Sequence, residues 1–252
     1  MSDRRLDGGH DGGAELVDGT VRRTVGSWTS SVHLLLAHLA ESGFSGAPRA
    51  LGTDEHGREV LTFLDGQTAG STLPWPHWVH SDKALTQVAN WLRRYHDAVA
   101  DFVPPGGAVW REGGAWQPGL AIAHNDAAPY NAVWNHSGLV GFVDWDMAGP
   151  RTREADVAWM AFSWVPLHAR SVVVAEGFRA FASRRSRLEA FLSTYGWEGS
   201  IEAAIGLVAA GIQDQVRTMR ETAIVGDQAY VRMLELGRDK GLQSALDELA
   251  DL

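Results

Sequence analysis

Four polar side chains in the middle of the chain have the types and spacing that a magnesium–phosphate reaction needs. His124, Asp126 and Asn131 form the pattern H-x-D-x-x-x-x-N, and Asp144 follows at the end of an apolar run. Carboxylate and amide oxygens are hard ligands for Mg²⁺, and a carboxylate can take the proton of an attacking hydroxyl. We predict Asp126 as the catalytic base and Asn131 and Asp144 as metal ligands. His124 joins this catalytic group as a hydrogen-bonding brace of the loop rather than as the base.

Other chemistries fit the residue pattern less well. A zinc site needs clustered His or Cys, but the chain has no cysteine and no H-E-x-x-H. The G-x-S-x-G of a serine hydrolase and the G-x-x-x-x-G-K-[ST] of a P-loop enzyme are also missing. Two carboxylates could serve a glycosidase, yet Asn131 and the glycines near the N-terminus would then have no role.

The elements that must position these residues are a short apolar segment and a hairpin. Leu120–Ala123 leads into His124, and Ala132–Trp134 and Leu139–Val143 are strand-like runs that flank a turn. Asp144 therefore follows the second strand of a hairpin whose first strand begins directly after Asn131. This arrangement brings the predicted base and the predicted metal ligands to one place.

The N-terminal stretch has the composition of a phosphate-binding loop followed by a small sheet. Gly8, Gly9, Gly12 and Gly13 would let backbone amides approach a ligand. Strand-like runs then flank Asp18-Gly19, a strong hairpin signal, and the second run carries Arg22 and Arg23. Because side chains alternate along a strand, one of these arginines can face a cleft and the other is expected to face solvent.

One helix and a second hairpin complete this sheet, and the rest of the chain is predicted to be helical. The apolar stripe Val32, Leu35, Leu36 and Leu39 predicts the helix, with Ser30 or Ser31 as its N-cap. The sheet stops at Asp65-Gly66, and a stretch rich in Gly, Ser, Thr and Pro follows. We therefore predict an N-lobe over residues 1–66 and a helical C-lobe over residues 67–252.

Composition and charge limit the possible partners. The net charge of −9 makes a nucleic-acid backbone an unfavourable partner. It would suit a cationic small substrate, but an ordinary acidic surface explains the charge equally well. The polar first residues contain no apolar signal segment, and no apolar run approaches the length of a membrane span. We expect a cytoplasmic protein that binds neither membrane nor nucleic acid.

The segment HNDAAPYN followed by VDWD resembles the catalytic segment of the aminoglycoside phosphotransferase family, and choline and thiamine kinases are similar there. The resemblance implies an α+β, bilobal, protein-kinase-like fold: a small antiparallel N-lobe sheet with one helix, a larger helical C-lobe, and ATP and Mg²⁺ between them. Gly8–Gly13 would cover the phosphates, Arg22 matches the phosphate-contacting basic residue, and Thr62, Phe63 and Leu64 resemble the adenine-binding hinge. Asp126 matches the catalytic Asp, and Asn131 and Asp144 match the metal ligands. Asp156 resembles the Asp that braces the catalytic loop.

Two positions depart from the family pattern. Arginine stands where lysine is commonest, and Val32 stands roughly where the helix is expected to supply a partner glutamate. The resemblance implies an enzyme that moves the γ-phosphoryl group of ATP to a hydroxyl of a small molecule. Two alternatives stay open: a kinase for choline, thiamine or another small alcohol, and a catalytically inactive nucleotide-binding protein.

Overall fold

The computed structural model describes residues 4–6, 13–70 and 72–252. Its N-terminal part is an antiparallel sheet, on which one helix packs. The strands are β1 (Arg4–Leu6), β2 (Ala14–Val17), β3 (Thr20–Arg23), β4 (Ala50–Thr53) and β5 (Glu59–Thr62), and the helix is α1 (Thr29–Glu41). The strand order is β1-β2-β3-β5-β4, so β3 and β5 are neighbours although α1 and β4 lie between them in sequence. Both predicted hairpins are confirmed.

The remainder of the chain is mainly helical, with two small two-stranded sheets. Its elements are α2 (Asp82–Ala98), β6 (Ala121–Ala123), β7 (Ala132–Asn135), β8 (Gly138–Phe142), β9 (Gly149–Arg151), α3 (Arg153–Trp164), α4 (Arg170–Ala175), α5 (Arg184–Tyr195), α6 (Ile201–Ile224), α7 (Gln228–Glu235) and α8 (Arg238–Leu249). Strand β6 pairs with β9, and β7 pairs with β8. The described helices include none long and apolar enough to cross a membrane. The predicted α+β organisation, a sheet followed by helices, is confirmed.

Four of the eight α-helices in the described residues begin after a residue whose side chain caps them. The hydroxyl of Ser81 accepts a hydrogen bond from the backbone N–H of Ala84, so Ser81 is the N-cap of α2. The N-cap predicted for α1, Ser30 or Ser31, was wrong by two or three residues, because the helix begins at Thr29 and its N-cap is Trp28. Ser31 instead accepts a hydrogen bond from the backbone N–H of Val109, a contact that no local pattern reports.

One continuous hydrophobic core joins the sheet-bearing part to the helical part. Leu36 of α1, Trp91 of α2 and Phe142 of β8 all belong to it and are nearly inaccessible to solvent. The loop after α1 docks on the helical part through Gly46, whose carbonyl oxygen accepts hydrogen bonds from the indole of Trp91 at 3.0 Å and the backbone N–H of Phe142 at 3.1 Å. These contacts hold the sheet at a defined position over the β7–β8 hairpin.

The chain passes from the sheet to the helical part at Gly66. A Cβ atom at this position would lie 2.5 Å from the carbonyl oxygen of Trp134, so only glycine permits the close approach. The approach lets Gln67 and Trp134 exchange two backbone hydrogen bonds of 2.8 Å each. The segment after β5 is thereby attached to the same hairpin that ends at the predicted metal ligand.

Candidate active site

The loop after β6 holds the predicted base Asp126 through hydrogen bonds to both of its carboxylate oxygens. The hydroxyl of Tyr130 donates to Oδ1 at 2.6 Å, and Nδ2 of Asn131 donates to Oδ2 at 2.8 Å. The pKa of Tyr130 is raised well above its usual range by burial and by the neighbouring carboxylate of Asp126, so the phenol keeps its proton and remains a donor. The carboxylate is therefore fixed in one orientation.

His124 is fully buried, and both of its ring nitrogens are occupied. It is 1% exposed, its Nε2 donates to the carbonyl oxygen of Val143 at 3.1 Å, and its Nδ1 accepts from the backbone N–H of Asp126 at 3.3 Å. Its ring centroid lies 4.4 Å from that of Trp145. Burial lowers the pKa of His124 to about 4, with Asp144 and the Val143 carbonyl opposing the shift. The ring is therefore neutral near pH 7, and it ties the Asp126 loop to the end of β8.

Asn131 connects the predicted base to the predicted metal site. Its Nδ2 donates both to Oδ2 of Asp126 and to the backbone oxygen of Asp126, at 2.8 and 2.9 Å. Its backbone oxygen accepts from the N–H of Val143 at 3.0 Å, the residue before Asp144. With the amide nitrogen engaged in this way, Oδ1 is the oxygen left for a cation.

Asp144 has a left-handed backbone, with φ 62° and ψ 66°, which is uncommon for a residue with a side chain. Such conformations concentrate at functional sites. The turn brings Asp144 and Asp146 to the same guanidinium: Nη2 of Arg23 lies 3.1 Å from Oδ1 of Asp144 and 2.5 Å from Oδ2 of Asp146. Burial alone would lower the pKa of Arg23, but Asp144, Asp146 and Glu59 together raise it. Burial raises the pKa of Asp146, and Arg23 opposes that shift.

Arg22, the predicted phosphate-contacting residue, does not join this cluster. Its guanidinium lies 3.5 Å from Asp54 and contacts the hydroxyl of Thr20. Arg22 and Arg23 are consecutive in β3, so their side chains lie on opposite faces of the sheet. The alternation predicted that one arginine faces the cleft. Arg23 lies at Asp144, and Arg22, the predicted phosphate contact, lies on the opposite face of the sheet.

The remaining predicted nucleotide-binding residues are only partly described. Gly8, Gly9 and Gly12 lie outside the described residues, and Gly13 precedes β2 with a φ of +79° that favours glycine. Thr62 ends β5, and its hydroxyl accepts from the backbone N–H of Arg49 at 2.8 Å. Within the described chain, the backbone groups of Phe63 and Leu64 make no hydrogen bond to protein. They can therefore bind the polar edge of a base. Phe63 lines a cavity of about 780 Å³, whose wall also includes Trp78 and Trp134.

Two tryptophans of α3 hold the Asp126 loop in place through their indole N–H groups, a role that the sequence did not predict for either of them. The indole of Trp159 donates to the carbonyl oxygen of Asn125 at 3.1 Å, and the indole of Trp164 donates to that of Ala127 at 2.7 Å. Asp156, the expected brace, instead hydrogen-bonds Nε2 of His96 in α2 at 3.0 Å. The brace prediction for Asp156 is therefore wrong in its partner, because the carboxylate points between α3 and α2.

The residues around Asp144 fit a magnesium ion that also contacts phosphate. In residues 4–6, 13–70 and 72–252 no group of three or more His, Cys, Asp or Glu has the geometry of a complete metal site. Asp144 and Oδ1 of Asn131 provide two oxygen ligands, and Mg²⁺ is commonly held by one or two protein carboxylates together with phosphates and water. The guanidinium of Arg23 on Asp144 shows that the position attracts a cation.

Comparisons with known proteins show which family and fold this chain resembles. A family model described as the phosphotransferase enzyme family, APH, matches residues 108–191. The trifolitoxin immunity protein of Rhizobium leguminosarum bv. trifolii is 32% identical over 213 residues, covering 82% of this chain and 79% of that protein.

Solved structures show the same fold at low sequence identity. The GDP complex of aminoglycoside 2'-phosphotransferase-IIIa matches with a TM-score of 0.64 at 15% identity, covering 100% of this chain and 93% of that one. Macrolide 2'-phosphotransferase MphH from Brachybacterium faecium matches at 0.61 and 14%, covering 97% and 92%. A choline/ethanolamine kinase family protein from Mesorhizobium loti matches at 0.57 and 16%, covering 99% and 92%. The predicted kinase-like fold is confirmed, and the chain belongs to the APH phosphotransferase enzyme family.

Proposed function

We propose that this protein transfers the γ-phosphoryl group of ATP, in the presence of Mg²⁺, to a hydroxyl group of a small molecule. The observation that carries the proposal is the environment of Asp126. The hydroxyl of Tyr130 donates to Oδ1 of Asp126 at 2.6 Å, so this carboxylate oxygen is accessible to an O–H donor. The hydroxyl of a substrate must lie at a similar distance from a carboxylate to transfer its proton to it. Nδ2 of Asn131, meanwhile, links the same carboxylate to the metal ligands.

In the proposed reaction, Asp126 takes the proton of the acceptor hydroxyl as its oxygen bonds to the γ-phosphorus. The bond from the γ-phosphorus to the β–γ bridging oxygen breaks, and ADP leaves with that oxygen. Asn131 and Asp144 would hold Mg²⁺, which supplies neutralisation of the phosphate charge. Arg23, rather than Arg22, would contact the phosphates, because its guanidinium lies at Asp144. Gly8, Gly9, Gly12 and Gly13 would cover them, and residues 62–64 would bind the base.

The lobes of the proposed enzyme are residues 1–66 and 67–252, with the nucleotide between them. The junction follows β5, where Gly66 and Gln67 attach the chain to Trp134. A requirement for ATP suits a cytoplasmic protein. Solved relatives with this fold are described as complexes with GDP, ADP and AMP-PNP, which supports a nucleotide as the phosphate donor.

The charge of the protein and the description of one relative indicate which small molecules could accept the phosphoryl group. The chain carries a net charge of −9, and Glu176 contributes to the electrostatic field at Tyr130 beside Asp126. Burial raises the pKa of Glu176 to about 7, with Arg238 opposing the shift, so an ammonium group beside it would restore its charge. These features favour a cationic alcohol. The relative described as an immunity protein favours a toxin or an antibiotic over a metabolite such as choline or thiamine.

The test is an ATP-consumption screen over aminoglycosides, macrolides, choline, thiamine and sugars, followed by variants of the site. We expect Asp126→Ala to lower kcat by about 10²–10⁴-fold, the usual contribution of a general base, while ATP still binds. We expect Asp144→Ala to weaken magnesium-dependent ATP binding. Asp214→Asn, which removes an exposed carboxylate paired with Arg217 on α6, is the matched control and should change neither quantity.

Two outcomes would contradict the proposal in different ways. An unchanged rate in Asp126→Ala would remove this residue as the base. Binding of ATP with no turnover of any acceptor would favour an inactive nucleotide-binding protein, the alternative from a different functional class.

A further inference from the structure

Glu59 places a carboxylate on the face of the sheet that carries Arg23. The register of β3 and β5 sets Arg23 directly opposite Glu59, so the two side chains lie on the same face. Glu59 is only 3% exposed. Burial of a carboxylate costs folding free energy unless the carboxylate is paired. The side chains that pair with Glu59 are therefore the first indication of its role.

Two side chains from different elements hold this carboxylate. Nε of Arg23 lies 3.8 Å from Oε1, and Nε2 of His33 lies 3.3 Å from Oε2. His33 is on α1, 26 residues before Glu59, and directly follows Val32. Val32 stands roughly where the family pattern expects a glutamate in the helix. In this protein α1 provides His33 at the next position, and the carboxylate comes from Glu59 on β5.

Arg23 therefore spans two acidic groups through opposite ends of one guanidinium. Its Nε faces Glu59, whereas its Nη2 contacts Asp144 and Asp146. The Glu59 carboxylate is 4% exposed, compared with 15–20% for the side chains of the other three residues, so it is the most sheltered member. Fold stability alone does not explain why the buried carboxylate of Glu59 is present. Well-packed apolar residues can often replace a buried ion pair without lowering the free energy of unfolding.

We propose that Glu59, held by His33, is the positioning residue for Arg23 and replaces the carboxylate that α1 lacks. The proposal rests on the proposed function, since it assigns the phosphate-contacting role to Arg23. Glu59 anchors the Nε end of the guanidinium. The Nη end would then be free to contact a phosphate oxygen, because Asp144 would hold Mg²⁺ when the ion is bound.

A double-mutant cycle tests this inference by isothermal titration calorimetry with Mg²⁺ and a non-hydrolysable ATP analogue. We expect Glu59→Gln to weaken binding about tenfold, because it removes the ion pair with Arg23, and Arg23→Met to weaken it at least as much. Because Glu59 acts through Arg23, the double variant should bind no more weakly than Arg23→Met alone. Asp54→Asn removes the carboxylate beside Arg22 on the other face and is the matched control. It should leave binding unchanged.

Titration with Mn²⁺ alone gives a second readout, which does not depend on nucleotide or turnover. Arg23→Met should bind Mn²⁺ more tightly than the wild type, because Asp144 loses a competing cation. Glu59→Gln should bind Mn²⁺ more weakly, because the guanidinium then has only Asp144 and Asp146 as partners. If Glu59→Gln does not fold, His33→Gln replaces it in both titrations, with a smaller change in the same direction.

Three outcomes overturn the inference. Equal losses from Glu59→Gln in the wild-type and Arg23→Met backgrounds would show a role independent of Arg23. A Glu59→Gln variant that matches Asp54→Asn would show no role in positioning. If the wild type binds no nucleotide with any metal, the proposed function fails and the inference fails with it, whereas either of the first two outcomes leaves the proposed function intact.

Discussion

His124 makes the stability of this protein depend on pH in a way that can be calculated from its surroundings. Burial lowers its pKa from 6.5 to about 4 in the folded chain. The unfolded chain therefore binds a proton between these two values that the folded chain does not. The stabilisation is fully present above pH 6.5 and is lost progressively as pH falls through this window, down to the folded-state pKa. One pKa unit corresponds to about 1.4 kcal/mol, so the whole window is worth about 3 kcal/mol.

The perturbation that isolates this contribution is His124→Gln. The glutamine amide can still donate to the carbonyl oxygen of Val143, but it does not titrate, and the backbone N–H of Asp126 loses its acceptor. At pH 7.5 we expect a loss of about 1–3 kcal/mol from that unsatisfied donor. On acidification the wild type alone should lose a further contribution, about 1 kcal/mol at pH 5.5 and about 2–3 kcal/mol at pH 4.5. The difference between the two proteins should therefore shrink as pH falls.

The assay is urea unfolding of both proteins at pH 7.5, 6.5, 5.5 and 4.5, followed by tryptophan fluorescence. Other titrating groups are common to both proteins and cancel in the difference between their free energies of unfolding. A difference that stays constant from pH 7.5 to 4.5 would refute the reasoning, because it would mean that His124 titrates alike in the folded and unfolded chains. A difference that grows on acidification would show that the folded protein favours the protonated ring.

Three further substitutions probe the contacts around the site. Tyr130→Phe removes the hydroxyl that lies on Oδ1 of Asp126, so KM for the acceptor should fall without loss of ATP binding; a raised KM would show that the tyrosine contacts the acceptor instead. Trp164→Phe leaves the carbonyl of Ala127 without its donor and should cost about 1–3 kcal/mol of stability together with a lower kcat. Trp197→Phe, whose indole bonds Ser200 near the surface, should cost less in urea unfolding and leave kcat unchanged. Asp156→Asn weakens the buried contact with His96 and should lower the free energy of unfolding by about 1–3 kcal/mol, with nucleotide affinity unaffected.

Local sequence patterns predicted the parts of the fold whose causes are local. The Asp18-Gly19 turn and the apolar stripe of α1 each act within a few residues, and both appear in the structure. The prediction of a helical C-terminal part did not include the break between α7 and α8. Gly237 has a φ of +70° between α7 and α8, and a stripe of apolar residues does not report such a break.

Some residues of the candidate site lie together because they are close in sequence, and others because distant elements pack against each other. His124, Asp126 and Asn131 belong to one loop, so their spacing alone predicted that they would lie together, and their hydrogen bonds join them directly. Trp159 and Trp164 brace that loop from α3, and their role depends on how α3 packs. The resemblance to the family implied Asp156 as the brace instead, and no local pattern marks an indole N–H for this role.

The sequence by itself determined which polar residues share the central loop, the family and the presence of two consecutive arginines on opposite faces of β3. Only the tertiary structure decided which arginine contacts Asp144 and Asp146. The alternation of a strand fixes that Arg22 and Arg23 diverge, but the packing of α1 and the helical part against one face selects Arg23. Glu59 was also out of reach of the sequence, since its position opposite Arg23 depends on the register between strands that are not consecutive. Strand register and helix packing are set by contacts between distant residues, and a local pattern carries no record of them.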